Sequence, residues 1–119
     1  MKSLLMTALA ITALCSGAAF ADSTPVGVLP PGPAATIDVE HGELVALALP
    51  DRGSGRVWRV ARPFNAIVLR QVSEAQVGAS VVLVFRAKSV GRTTVSIALT
   101  QGDASAKALE SRRFRVRVR

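Results

Sequence analysis

Gly42-Glu43-Leu44-Val45-Ala46-Leu47-Ala48-Leu49-Pro50-Asp51-Arg52-Gly53-Ser54-Gly55-Arg56-Val57-Trp58-Arg59-Val60 reads as strand, loop, strand, and this order decides the fold. Val45, Leu47 and Leu49 recur at every second position, the spacing of one buried face on a pleated strand. Pro50 has no N–H to give to a ladder and ends it. Asp51 to Gly55 combine charge with two residues that accept positive φ, so a loop follows, and Val57 to Val60 restore a β-rich pattern. Trp58 is the only tryptophan. Among β-branched neighbours it is expected to fill the centre of a small β core, where its loss would cost about 3–5 kcal/mol.

On the N-terminal side of this stretch, Ile37 and Val39 alternate with Asp38 and Glu40, and His41-Gly42 turns the chain. On the C-terminal side, Pro63 breaks the run, Ala66 to Val72 reads as a strand, and Glu74 to Ala79, with Gly78 inside, reads as a loop. Ser80 to Ala87 is nearly all apolar, the signature of a central strand covered on both faces. Lys88 to Gly91 turns again, and Val95, Ile97 and Leu99 mark the inward face of Arg92 to Leu99. Thr100 to Glu110 is polar and reads as a long loop, with a composition in Ala104 to Glu110 that suits one helical turn. In the last strand Phe114, Val116 and Val118 alternate with Arg113, Arg115, Arg117 and Arg119, which places guanidinium groups on one face. About seven short strands without a convincing helix predict an all-β, immunoglobulin-like β-sandwich over residues 36–119.

Residues 1–21 have the form of a secretory signal peptide: Lys2 as the positive region, an apolar run from Leu4 to Ala18, and Ala19-Phe20-Ala21 as the cleavage site. A lipoprotein would use Cys15, but Leu14 stands where a small residue is wanted. Residues 22–35 hold Pro25, Pro30, Pro31 and Pro33 with Gly27 and Gly32, a composition that reads as an extended arm, either a spacer or a partner-binding segment. Cleavage near Ala21 takes 21 residues from 119 and leaves 98, the size of one domain, without cysteine. Export without disulfides fits a periplasmic or secreted bacterial protein, expected to be a monomer. Loss of Lys2 leaves 14 basic against 8 acidic side chains, a net charge near +6 that favours anionic partners or surfaces.

The mature chain contains one histidine, His41, and no cysteine nucleophile, so neither a catalytic base pair nor a zinc centre is expected. Asp38 and Glu40 share a strand face among basic residues, the arrangement of a solvated surface. Gly53-Ser54-Gly55 is too short for a nucleophile elbow or a phosphate loop. An enzyme is not expected, and no cofactor or metal is implied. The aromatic residues sit where the alternation wants core, so the stacking platform of a nucleic-acid reader is not expected either.

Gly42-Glu43-Leu44-Val45, then Leu49-Pro50, a Gly-bearing loop and Trp58, followed by Gly78 ahead of a strand, Gly91 at a turn and Ser111-Arg112-Arg113-Phe114-Arg115-Val116 at the close, resemble the chagasin family of cysteine-protease inhibitors. The resemblance runs from Thr36 to Val118. It implies a sandwich that wedges three loops into the cleft of a papain-like cysteine protease without being cleaved. Those loops correspond here to Asp51–Arg56, Glu74–Ser80 and Thr100–Glu110, with Asp51, Arg52, Gly53, Ser54, Gly55, Arg56, Gln76, Val77, Gly78, Ala79, Gln101, Gly102 and Asp103 as contact residues. In that alignment Gly55 and Ser54 approach the catalytic centre, and Arg52 and Arg56 meet acidic groups on the rim. The contact motifs depart from the family's: where it has Asn-Pro-Thr-Thr-Gly this chain has Asp51-Arg52-Gly53-Ser54-Gly55, in which only Gly55 and, loosely, Ser54 correspond, and its Arg-Pro-Trp is replaced by Gln101-Gly102-Asp103. Arg62-Pro63-Phe64 resembles that second motif but lies in the wrong part of the chain. The alternative is a non-inhibitory envelope module that binds an envelope protein or an anionic surface through Arg113, Arg115, Arg117 and Arg119.

Overall fold

The computed structural model describes residues 24–53 and 55–119; the expected leader with Cys15, the expected cleavage position at Ala21 and the expected contact residue Ser54 lie outside the described residues. Seven strands form: β1 (Ala34–Val39), β2 (Leu44–Pro50), β3 (Arg56–Val60), β4 (Leu69–Val77), β5 (Ser80–Ala87), β6 (Gly91–Gln101) and β7 (Glu110–Val118). They make a four-stranded sheet in the order β1-β7-β6-β3 and a three-stranded sheet in the order β2-β5-β4. β1 runs parallel to β7, and every other neighbouring pair is antiparallel. This is the immunoglobulin-like sandwich that the strand count and alternation predict.

Alternation along the strands builds the core. Val45, Leu47 and Leu49 of β2 pair with Phe85, Leu83 and Val81 of β5 and face Trp58, Ile97, Leu99, Val116 and Val118 of the other sheet. Trp58 is 5% exposed, and its indole N–H donates to the Pro50 carbonyl at 2.8 Å, joining the start of β3 to the end of β2. The Arg112 guanidinium lies 5.5 Å from the indole ring centroid. A cation over an aromatic face is a favourable pairing. Phe64 meets Phe85 edge to face at 5.6 Å and closes the far end of the core.

Four expectations need correction. Ala66–Val68 is a turn rather than part of a strand, because the Asn65 side chain accepts the Ile67 N–H at 2.9 Å and the Asn65 carbonyl accepts those of Val68 and Leu69. β4 instead continues through Glu74 to Val77, so the expected loop shrinks to Gly78-Ala79. This is an edge strand whose residues after Leu69 are all exposed, with a bulge between Gln71 and Ser73, so no apolar alternation marks it in the sequence. β5 is central in its sheet but covered on one face only: Leu83, Phe85 and Ala87 are buried, while Val82 and Val84 on the other face are half-buried. The 102–109 segment contains no helical turn.

Thr24 to Pro33 crosses the outer face of the larger sheet at the end where β6 finishes. Thr24 N–H donates to the Asp103 carbonyl (3.0 Å) and Gly27 N–H to that of Ala106 (2.7 Å). The Ser111 hydroxyl donates to the Pro30 carbonyl (2.6 Å), and Arg113 N–H to that of Pro33 (3.0 Å). A Cβ on Gly32 would stand 1.9 Å from the Ser111 carbonyl oxygen, so only glycine lets the arm lie this close. The arm explains why Val95 to Thr100 are buried without interruption: one face meets the core and the other lies beneath arm and loop.

Candidate functional site

Register places the ends of the strands. Pro50 and Val77 both pair with Ser80, so β2 and β4 finish where β5 begins. Arg56 pairs with Gln101, and Glu110 with Leu99, so β3 and β7 begin where β6 finishes. The connections after β2, β4 and β6 therefore emerge at one end of the sandwich, and direct bonds tie them together.

The first connection, 51–55, is shaped by Asp51. Its Oδ1 accepts the Gly53 N–H at 2.9 Å, its backbone N–H donates to the Ala79 carbonyl at 3.0 Å, and its Oδ2 accepts from the Gln76 side-chain amide. The Gly53 N–H, and then Gln76, hold the Asp51 carboxyl below its ordinary value. Gly53 and Gly55 have φ of 103° and 79°, conformations that L side chains rarely adopt. The second connection is a two-residue hairpin, with Gly78 at φ 60° as a type II′ turn requires at its first position. In the third, Gln101 ends β6, and its side-chain amide donates to the Gly55 carbonyl at 3.4 Å.

Arg52 makes a two-pronged ion pair with Glu110, Nε to Oε2 at 2.7 Å and Nη2 to Oε1 at 3.0 Å, joining the first connection to the start of β7. Bidentate Arg–carboxylate pairs fix orientation as well as charge. The bond from Arg52 holds the Glu110 carboxyl low, against the opposing effect of burial, and the same bond raises Arg52. The third connection is held from below by Arg59, whose guanidinium donates to Thr100 Oγ1 (3.1 Å), the Thr24 carbonyl (2.7 Å) and the Ser105 carbonyl (2.7 Å). Beside the loops, between β3 and β4, opens a depression of about 440 Å³ lined by Asp51, Gly53, Arg56, Trp58, Glu74 and Gln76.

Of the residues expected at the site, Asp51, Arg52, Gly53, Gly55, Arg56, Gly78, Ala79, Gln101, Gly102 and Asp103 come together at this end. Gln76 and Val77 belong to β4 rather than to a loop, with Gln76 serving as a brace for Asp51. Arg113, Arg115 and Arg117 lie on the outer face of β7, away from the loops. Glu110 and Arg59 were not expected. Arg52 and Glu110 stand 58 residues apart, and no spacing rule pairs them; outward alternation places Arg59 on the solvent side, but the arm then covers it. Among the described residues no three His, Cys, Asp or Glu side chains cluster as a metal site would need.

These features define an immunoglobulin-like β-sandwich with braced loops gathered at one end. No family profile and no curated protein sequence matches the chain. By structure it is similar to the crystal structure of the cysteine protease inhibitor EhICP2 from Entamoeba histolytica, with a TM-score of 0.60 and 15% identity over 76% of this chain and 100% of that one. It is also similar to the solution structure of amebosin, with a TM-score of 0.50, 15% identity and the same coverage. At this identity the likeness establishes the fold, and it is the fold that the chagasin resemblance implies.

Proposed function

We propose that the chain is a binding protein, not an enzyme, that reversibly inhibits papain-type cysteine proteases by inserting this loop end into the active-site cleft. The observation that carries the reading is the convergence of the three connections at one end, cross-braced by Asp51, Arg52 and Gln101. The likeness to EhICP2, a cysteine protease inhibitor, supports the class of partner. Gly53 to Gly55 lead the insertion, flanked by Gly78-Ala79 and by Gln101 to Asp103. Left-handed backbone at Gly53 and Gly55 keeps the tip out of the extended form of a substrate strand, which favours binding over cleavage. Each loop residue already ordered saves on the order of 1 kcal/mol on association, so the braces supply the rigidity that a proline gives elsewhere. Arg56 is exposed at the rim and steers toward acidic groups. Arg52, satisfied by Glu110, acts as a brace. The signal-peptide-like sequence of residues 1–21 supports action outside the cytoplasm, in the periplasm or beyond.

The test is a titration of Asp22–Arg119 against papain and a cathepsin-like protease with a fluorogenic substrate, followed by mass spectrometry of the inhibitor. Reversible inhibition with an intact chain is expected. No inhibition at about 100 µM, or stoichiometric cleavage between 51 and 56, overturns the reading.

A further inference from the structure

The outer face of the larger sheet is divided. The arm covers the half near the loops, and the half beyond it is open. Alternation along β7 and the pairing with β1 and β6 put Arg113, Arg115, Arg117, Thr36, Asp38, Thr94 and Arg92 on this face. Arg115 sits between Thr36 and Thr94, and Arg117 between Asp38 and Arg92. Together Thr36, Thr94, Arg92, Arg115 and Arg117 line a depression of about 380 Å³.

Two features set this face apart from an ordinary charged surface. Asp38 is the one acid among these paired positions and already serves two cations, accepting from Arg117 Nε at 2.9 Å and Arg119 Nη2 at 3.1 Å. Among the described residues, Arg92 and Arg115 beside it have no acidic partner. Arg92 also stands directly opposite Arg117 across the β6–β7 ladder. Like charges directly opposite on a sheet repel and destabilise it, and an anion between them removes that repulsion.

We propose that this face binds a linear anionic polysaccharide, with Arg92, Arg115 and Arg117 holding its sulfate or carboxylate groups and Thr36 and Thr94 donating to sugar or anion oxygens. Arginines at every second residue of β7 stand roughly 7 Å apart in a straight row, a spacing that suits successive charged groups on an extended polymer. Planar guanidinium groups take such oxygens in pairs. A bilayer is the poorer fit: the apolar side chain lining the depression, Val116, is 2% exposed and offers nothing to insert among acyl chains. The face lies beyond the arm from the loop end, so a polymer-bound molecule still presents its loops, and the proposal stands independently of the inhibitor reading.

The experiment measures retention of Asp22–Arg119 on immobilised heparin and on immobilised polygalacturonate as a function of NaCl, with phosphatidylglycerol vesicles as the lipid arm. The parent is expected to bind both polymers, with an affinity that falls steeply with salt as counterions are released. The variant R92Q/R115Q leaves both contacts to Asp38 in place and is expected to lose about tenfold or more in affinity and about two units of the log–log salt slope. Bound heparin is expected to raise the melting temperature of the parent more than that of the variant. A control, R70Q/R86Q/K88Q, removes more charge elsewhere and is expected to retain most of the binding. Equal loss in control and variant would make the effect one of net charge and overturn the site. Unchanged retention of R92Q/R115Q would do the same, and tighter binding to vesicles than to either polymer would replace the polysaccharide with a membrane.

Discussion

Replacing Arg59 with methionine tests whether the arm and the third connection form one braced unit. Methionine keeps much of the apolar stem and removes the guanidinium, which gives up three bonds at once: to Thr100 Oγ1, the Thr24 carbonyl and the Ser105 carbonyl. Each is part-buried, and a net of about 1 kcal/mol per bond, somewhat more for a charged donor, gives a loss of roughly 2–4 kcal/mol. Domains of this size carry about 5–15 kcal/mol in all, and a drop of that order lowers the melting temperature by roughly 10–20 °C. Location is the more informative part. Thr24 and Gly27 donate to carbonyls of the third connection, so their amides are expected to exchange faster in R59M by more than the fall in global stability accounts for. Inhibition is expected to weaken through faster dissociation, since the loop must then be ordered on binding. Urea melts, amide exchange and dissociation kinetics read the three effects. A variant within 0.5 kcal/mol of the parent, or one whose Thr24 and Gly27 amides keep pace with the core, would refute the brace; the 0.5 is the scatter of ordinary surface substitutions.

Trp58→Ala is expected to cost about 3–5 kcal/mol in chemical denaturation, because it empties a core position and removes the ring beneath Arg112; a cost near 1 kcal/mol would mean the cavity collapses freely. Gly55→Val places a β-branched residue at φ 79°, with its Cβ 2.9 Å from the Gln101 amide nitrogen, and should cost about 1–3 kcal/mol of loop strain while the sandwich stays folded. Its inhibition constant is expected to rise at least tenfold, and parental inhibition would remove Gly55 from the wedge. Acid is expected to loosen the loop end: Glu110 and Asp51 titrate below their ordinary values of 4.5 and 3.8, so their contribution is whole above those values and is lost as the pH falls through the lower folded values. The Gly53 amide chemical shift should follow Asp51 with a midpoint below 3.8, and a midpoint at or above it would contradict the bond between them.

The core was legible because two-residue periodicity is a direct print of burial. Val45, Leu47, Leu49, Trp58 and the Phe114–Val118 alternation all point where they were expected to point. Legibility failed at the edge and at the surface. β4 has an exposed sequence with a bulge, so it carries no apolar print, and the apolar run of β5 reports a central strand without reporting that its outer face stays open. The arm illustrates a different loss. Its prolines and glycines announce an irregular path, but its position is set by carbonyls accepting from Arg59, Arg62 and Ser111, contacts that no local pattern encodes. The same holds for the pairing of Arg52 with Glu110.

That ion pair also shows how a glycine-rich loop can be held in one shape. Gly53 and Gly55 lose more conformational freedom on ordering than any other residue would, and an unsupported loop of this composition would meet a partner as an ensemble. Here the cost is met within the chain. Asp51 takes hydrogen bonds from Gly53 and Gln76, Arg52 reaches Glu110, and Gln101 reaches Gly55, so both flanks of the glycines are fixed to different strands. Exposed ion pairs contribute little to overall stability, about 0–1 kcal/mol. A geometric brace asks for less, because it has only to choose among loop conformations of similar energy. Removing one end of the pair with Glu110→Gln should therefore leave the melting temperature nearly unchanged while weakening inhibition, and high salt should do the same to the parent. If both properties fell together, the pair would be holding the sandwich rather than the loops. If inhibition survived, rigidity would come from the Asp51 turn and the Gln101 bond to Gly55.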